Sequence, residues 1–368
     1  MNTLFKKWSL ICFVFIFSNA KGQDPKFISI EKIFQLGDFR LENDLILPHA
    51  FIKFATYGKL NKEKNNVLVL PSSYGADYRS YDFLIGSDKA IDTNQYFVIL
   101  TQLFANGHSS SPSNTKAPFD GPRFPNTTIL DNVKAQYALV HDYLNVKKIK
   151  AVIGFSMGAQ QAFQWAISYP NYVQSIIPFC GTAKTYPHGF ARLEAAISTI
   201  EADDKFNNGN YTTQPIAGLK AWSLHWASWF LSQEWYRQEK FKTFGNKSVN
   251  AFLQARIEKD KDVDANDRIA QAKTWQSHDI SKNTNFNGDI EKALSSIPCK
   301  VLYMPSLTDL YFPIAEVEYE KAFIKQVVYI PIPSIWGHLA GAGINPEDNL
   351  FLNKQIRSFL LNATPPVK

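Results

Sequence analysis

The chain has 368 residues, 45% of them hydrophobic, which is enough for one large core or a core with an insertion. Its formal net charge is +6, but the lysines and arginines are scattered; a nucleic-acid-binding stripe would cluster them, so that class is set aside. His and Cys are sparse and never at ligand spacing, and no glycine-rich phosphate loop occurs, so neither a metal nor another cofactor is expected.

Taken in chain order, residues 1–22 read as a secretory signal peptide. Lys6 and Lys7 precede an apolar stretch from Leu10 to Phe17, and Ser18-Asn19-Ala20 follows as a small-x-small cleavage site. The apolar stretch is too short to span a bilayer, although an uncleaved anchor is the alternative reading. Cys12 has no small residue before it, so a lipoprotein site is not expected. No later segment is long and apolar enough for stable membrane insertion, and the protein is expected in the periplasm or outside the cell.

Ile33 to Tyr57 alternates apolar and polar residues, with turn signals at Gly37-Asp38 and Glu42-Asn43-Asp44, and predicts an antiparallel hairpin or meander. Val67–Leu70 and Tyr96–Leu100 then read as buried strands. Thr128 to Asn145 predicts a helix, with Val133, Tyr137, Val140 and Leu144 on one face and Thr128 or Asp131 as its cap. Val146–Ile153 is short and β-branched enough for a buried strand, and Ala159–Ala166 reads as a helix. Val173–Phe179, Val301–Met304 and Val327–Ile332 predict further strands, and Asn345–Leu361 a closing helix. Strands alternating with helices indicate an α/β fold with a mostly parallel central sheet.

The stretch 184–294 breaks this rhythm. It has no convincing strand and is rich in tryptophan, so it reads as an inserted α-helical cap between two halves of a core, 23–183 and 295–368. Trp222, Trp226 and Trp229 recur at i, i+4 and i+7, one helix face, either packing the cap onto the core or walling a substrate pocket. Cys180 ends one predicted parallel strand and Cys299 begins another, beyond disulfide reach, so two free, mostly buried thiols are expected.

Between the strand and helix around residue 156 stands Gly154-Phe155-Ser156-Met157-Gly158, a nucleophile elbow. Its glycines permit a turn too tight for a side chain and leave the serine hydroxyl exposed at the sheet top. Acyl transfer through serine also needs a base, a carboxylate to orient that base, and N–H donors for the oxyanion. Asp309 follows a strand in Pro305-Ser306-Leu307-Thr308-Asp309, and His338 follows the next, giving the required order Ser, Asp, His. Gly337 before the histidine and small residues after it suit a mobile loop. The Met157 amide is the first oxyanion donor; the second comes from Pro71-Ser72-Ser73-Tyr74-Gly75, with Ser73 favoured over Ser72 and Tyr74 and Pro71 excluded for want of an N–H. His108, in a loop after a strand but ahead of the serine in order, suits a pocket-lining role.

Phe54–Asn61, Phe83–Gly86, Ala90–Thr93 and Tyr96–Ile99 form a recognisable signature, as do Ser156-Met157-Gly158 with Ala162, Trp165 and Ala166. With Ser306, Asp309, Leu310, Phe312, Pro313 and Gly337-His338, the chain resembles the homoserine O-acetyltransferase branch of the α/β-hydrolases, from about Phe51 onward and less so inside the cap. The resemblance implies an α/β-hydrolase fold, a Ser156–Asp309–His338 triad and a homodimer through the cap. Two departures stand out. That family follows its catalytic histidine with an Asp where this chain has Leu339, and carries an Ala-Arg pair where this chain has Trp222-Ser223. Those groups would offset the desolvation of a zwitterionic amino acid. An exported enzyme also would not meet acetyl-CoA. The expectation is a serine-nucleophile ester hydrolase or acyltransferase that takes a small acyl ester and passes the acyl group to water, an alcohol or a sugar hydroxyl. Homoserine acetylation from acetyl-CoA is the alternative, and a catalytically silent ligand- or partner-binding protein of the same fold the second.

Overall fold

The computed structural model describes residues 30–362, and the segment read as a signal peptide lies outside the described residues. The chain opens with the antiparallel pair β1 (Ile30–Arg40) and β2 (Ile46–Tyr57); β2 alternates buried and part-buried residues from Ala50 to Phe54, while β1, at the sheet edge, buries none of its residues fully. β3 (Val67–Pro71) and β4 (Phe97–Thr101) follow, then helix α1 (Ile129–Tyr137). β5 (Ile149–Phe155) leads through Ser156 into α2 (Met157–Ser168), and β6 (Ser175–Phe179) comes next. After β6 the chain runs through α3 (Pro187–Glu201), α4 (Ile216–Ala227), α5 (Gln233–Arg237), α6 (Val249–Asp260) and α7 (Ala265–Gln276). α8 (Ile290–Ser295) returns it to β7 (Lys300–Tyr303), α9 (Ile314–Lys321), β8 (Val327–Tyr329) and α10 (Pro346–Asn362).

The eight strands form one sheet in the order β1-β2-β4-β3-β5-β6-β7-β8. β1–β2 and β2–β4 are antiparallel, and every other pair is parallel. β3 and β6 are buried along their whole length, which is why they read as unbroken apolar runs rather than alternating ones. Trp165 of α2 is fully buried and donates its indole N–H to Gln136 of α1 (2.8 Å). Gln136 in turn donates to Gln161 (2.6 Å), and Gln161 to the Ser72 carbonyl (2.9 Å), so a chain of buried amides ties two helices to the loop after β3.

The predicted helix 128–145 begins as expected, with Thr128 and Asp131 forming a reciprocal capping box. It stays α-helical only to Tyr137, and a π-helical turn covers Ala138–Tyr143, where Leu144 N–H reaches back to Leu139. That wider turn lies beside Tyr137, whose ring stacks on Tyr169 (3.9 Å) and His141 (4.7 Å). β8 stops at Tyr329 rather than Ile332: Ile330 and Ile332 still donate to the Tyr303 (3.0 Å) and Pro305 (2.7 Å) carbonyls, but the returning donor on the β7 side falls at Pro305, which has no N–H. α4 ends at Ala227, so Trp229 falls outside the helix and packs edge-on to His188 instead of extending the Trp222–Trp226 face. Cys180 and Cys299 are free and buried.

Helices α3 to α7 hang from a narrow neck. Lys184 and Asp279 pair as an antiparallel bridge, joined by an ion pair (2.8 Å), while Thr185 N–H donates to the His278 carbonyl (2.8 Å).

Candidate active site

Ser156 occupies the step between β5 and α2 with φ 58° and ψ −123°, a conformation that a non-glycine residue holds only under strain. The neighbouring glycines make that step possible. A Cβ on Gly154 would lie 1.9 Å from the Gly158 carbonyl oxygen, and one on Gly158 would lie 2.7 Å from the Pro71 carbonyl oxygen. Ser73, Asp309 and His338 follow β3, β7 and β8, so all of them gather with Ser156 at the carboxyl edge of the parallel strands.

His338 Nε2 lies 3.0 Å from Ser156 Oγ, and its Nδ1 lies 2.8 Å from Asp309 Oδ2. The other carboxylate oxygen of Asp309 accepts the backbone N–H groups of Tyr311 (2.7 Å) and Phe312 (3.3 Å). The imidazole is held between Phe155 (4.7 Å between ring centres) and Tyr311 (4.4 Å). Ser156, Asp309 and His338 are 3, 4 and 5% exposed, so the group is almost sealed from solvent.

The loop carrying His338 is not the loose segment its glycine suggested. Gly337 has φ +57°, and a Cβ there would come within 2.9 Å of backbone atoms of Phe230, Leu231 and Ser232. The His338 N–H donates to the Phe230 carbonyl (3.0 Å), and Ser232 Oγ donates to the Ile335 carbonyl. Glycine serves close packing against the helical insertion.

On the oxyanion side, the Met157 N–H stands in the first turn of α2, where no helical acceptor exists for it. In the loop after β3, Ser72 N–H is engaged by the Thr101 carbonyl (2.8 Å) and Gly75 N–H by Gln271 Oε1 (2.9 Å). That leaves the Ser73 and Tyr74 amides as candidates for the second donor. Ser73 is anchored by its hydroxyl, which donates to the Phe155 carbonyl beside the serine.

Trp222 and Trp226 lie 6.3 and 5.5 Å from the Tyr74 ring, and Trp226 lies 5.1 Å from Tyr311. The aromatic face therefore continues, ring by ring, to the imidazole. Burial pushes the Tyr74 phenol up to about 12. Leu339, next to the histidine, is partly buried and apolar. His108 stands apart: it faces Asp77 at 3.8 Å, half-exposed, and none of these ring contacts or hydrogen bonds reaches it.

Three neighbours were missed in the sequence. Tyr311 and Trp275 complete the aromatic wall, and Arg192 of α3 lies among them, 4.3 Å from the Tyr311 ring and 4.8 Å from Trp275. Arg192 is buried, donates to the Tyr311 carbonyl (3.4 Å) and has no partner among the described residues for Nε or Nη1. Burial draws its pKa down, against the pull of Tyr311, Asp309 and Glu316. A signal for it existed: Gly189, Arg192, Leu193, Ala196, Ile197 and Ile200 share the buried stripe of α3, and an arginine there is out of place.

A serine on a strained strand-to-helix step, joined through an imidazole to a carboxylate at the carboxyl edge of such a sheet, defines the α/β-hydrolase class. A family model described as the alpha/beta hydrolase fold matches residues 66–339, and the chain belongs to that family. Within it the chain is similar to the ethyl acetate hydrolase of Pseudomonas veronii, 32% identical over 320 residues that make up 86% of this chain and 91% of that protein. Among solved structures, an acetylester hydrolase from Corynebacterium glutamicum superposes with a TM-score of 0.87 at 30% identity, covering 90% of this chain and 96% of that one. A homoserine O-acetyltransferase from Bacillus anthracis superposes with a TM-score of 0.80 at 26% identity, covering 90% and 98%. The branch is the homoserine O-acetyltransferase-like one, which holds both esterases and acyltransferases.

Proposed function

We propose that the protein is an exported serine esterase acting on small acyl esters, acetyl esters foremost. The observation that carries this is the hydrogen-bonded line from Ser156 Oγ through the His338 ring to Asp309. Ser156 Oγ attacks the ester carbonyl while His338 Nε2 takes its proton, and Asp309 holds Nδ1–H and stabilises the imidazolium. The Met157 and Ser73 amides receive the oxyanion, His338 returns the proton to the departing alcohol, and water releases the acyl group by the same steps in reverse. The enclosed site, the aromatic wall of Tyr74, Trp222 and Trp226, and the apolar Leu339 support a small, uncharged ester, in keeping with the relatives that hydrolyse ethyl acetate or acetyl esters.

Replacing Ser156→Ala is expected to lower kcat on p-nitrophenyl acetate by at least about 10³-fold while leaving the melting curve in place. Turnover at the parent rate would overturn the reading, as would failure of the parent to take a fluorophosphonate on Ser156. Acetyl transfer to homoserine is the second reading, favoured by the acyltransferase relatives. Incubation with acetyl-CoA and homoserine separates the two, O-acetylhomoserine being the product that decides for transfer. Export rests on the leader pattern of residues 1–22 and is tested by the N-terminus of the protein recovered from the periplasm or medium. Light scattering tests the homodimer that the family resemblance implies.

A further inference from the structure

We infer that Gln271, in the helical insertion, is a positioning residue that holds the oxyanion loop in its donating geometry. The inference rests on the reading of Ser156 as nucleophile and extends it to a residue far away in the chain.

The loop after β3 is held from two sides. From the core, Gln161 donates to the Ser72 carbonyl, Ser72 N–H is taken by Thr101, and the Ser73 hydroxyl is tied to Phe155. Those contacts stop at Ser73. The next residues form a turn closed by the Ala76 N–H on the Ser73 carbonyl (3.0 Å), with Gly75 third at φ +61°. A turn of this kind has a middle peptide, here Tyr74–Gly75, that can rotate by half a revolution between two turn types. The N–H of that peptide is the one given to Gln271 Oε1 (2.9 Å). One accepted hydrogen bond therefore selects one of the two orientations of that peptide and pins the turn whose first two residues carry the Ser73 and Tyr74 amides. The Tyr74 hydroxyl reaches the same helix, donating to the Arg268 carbonyl (3.2 Å).

The placement on α7 is regular. Asp267, Gln271 and Thr274 recur at i, i+4 and i+7, and each reaches a different core loop: Asp267 accepts from Ser113 (2.7 Å), Gln271 from Gly75, and Thr274 donates to the Thr127 carbonyl (2.9 Å). Gln271 is the side chain of the three that reaches the oxyanion loop. It is 1% exposed, and its Nε2 has no partner among the described residues. Leucine or methionine would fill the space without stranding a buried donor, so packing alone does not explain an amide here. The accepting oxygen does.

The test compares Gln271→Met, Gln271→Glu and Thr274→Val with the parent on p-nitrophenyl acetate, with melting curves for each. For Gln271→Met, kcat is expected to fall about 10- to 100-fold, short of the loss of a whole oxyanion donor, with KM within about threefold. Inhibition by a trifluoromethyl ketone, which forms the tetrahedral adduct, should weaken by the same factor as kcat. Gln271→Glu keeps an acceptor for Gly75, with the Arg268 guanidinium beside that glycine to balance the charge, and should stay within about fivefold of the parent. Thr274→Val loosens the same helix without touching the loop and should stay within about twofold. A kcat for Gln271→Met within twofold of the parent would overturn the inference. So would a rise in KM alone, or equal losses in the Met and Glu variants. If Gln271→Met shows no cooperative melting, Gln271→Asn, which draws the acceptor back by one methylene, is judged by the same criteria. A parent without esterase turnover would sink the reading of Ser156; an active parent with an indifferent Gln271→Met sinks only this inference.

Discussion

Asp309 does two jobs with two oxygens. One accepts the Tyr311 and Phe312 N–H groups and so shapes its own loop; the other takes the imidazole. Asn at this position can keep the first bond, but it offers an NH2 group to Nδ1 and favours the wrong tautomer. Asp309→Asn is therefore expected to melt within a few degrees of the parent while kcat falls by about 10⁴-fold, as measured with p-nitrophenyl acetate. A drop of less than tenfold would remove Asp309 from the mechanism. At this scale the sequence was readable where chemistry imposes a local pattern: two glycines around Ser156, then an acid and a base in fixed order. It marked Arg192 only as an arginine out of place on a buried stripe and was silent on Gln271, because the role of such a residue emerges only once its partners, Tyr311 and Gly75, are brought up from elsewhere in the chain.

Strands of the parallel sheet were legible as elements because burial on both faces leaves continuous apolar runs, as in β3 and β6. Their ends were less so, since Pro305, with no N–H to return to β8, decides the end of that pairing and the Tyr137–Tyr169 stack accompanies the change of helix type after α1. The loop between β8 and α10 carries the lesson furthest. Its glycine suggests freedom, yet at Gly337 the need is for the left-handed region and for clearance from three backbone atoms. Gly337→Ala adds about 1–2 kcal/mol of backbone strain before any clash is counted. Scanning calorimetry should show a melting temperature several degrees lower, and kcat should drop by at least about tenfold as His338 is displaced from Ser156. Unchanged melting and turnover would mean that the loop tolerates the shift.

Across the whole molecule, the insertion and the sheet meet over a buried carboxylate. Glu320 of α9 accepts the Ala183 N–H at the neck (3.0 Å) and the Tyr303 hydroxyl (2.7 Å), and burial pushes its pKa up to about 8. Glu316, one turn earlier, is raised to about 7 by burial. The unfolded chain gives up these protons near the ordinary value of 4.5, whereas the folded protein keeps them. Stability is then greatest below about pH 4.5 as far as these groups are concerned, and declines as pH rises towards 8, where the folded state must carry the buried charge. Melting temperatures at pH 5, 6.5 and 8 should fall more steeply for the parent than for Glu320→Gln. Parallel curves would place the proton elsewhere. None of this was visible in composition or periodicity, because it arises where α9, β7 and the start of the insertion converge.

The neck at Lys184 and Asp279 has one more consequence. Everything between those residues leaves the sheet and rejoins it through a single doorway, two backbone segments lying side by side. In genealogical terms the ceiling above the serine is an interchangeable part. A ceiling of another length or build could stand on the same floor, provided that it brought its own props for the turn at Gly75 and for the His338 loop, which now leans on Phe230 and Ser232.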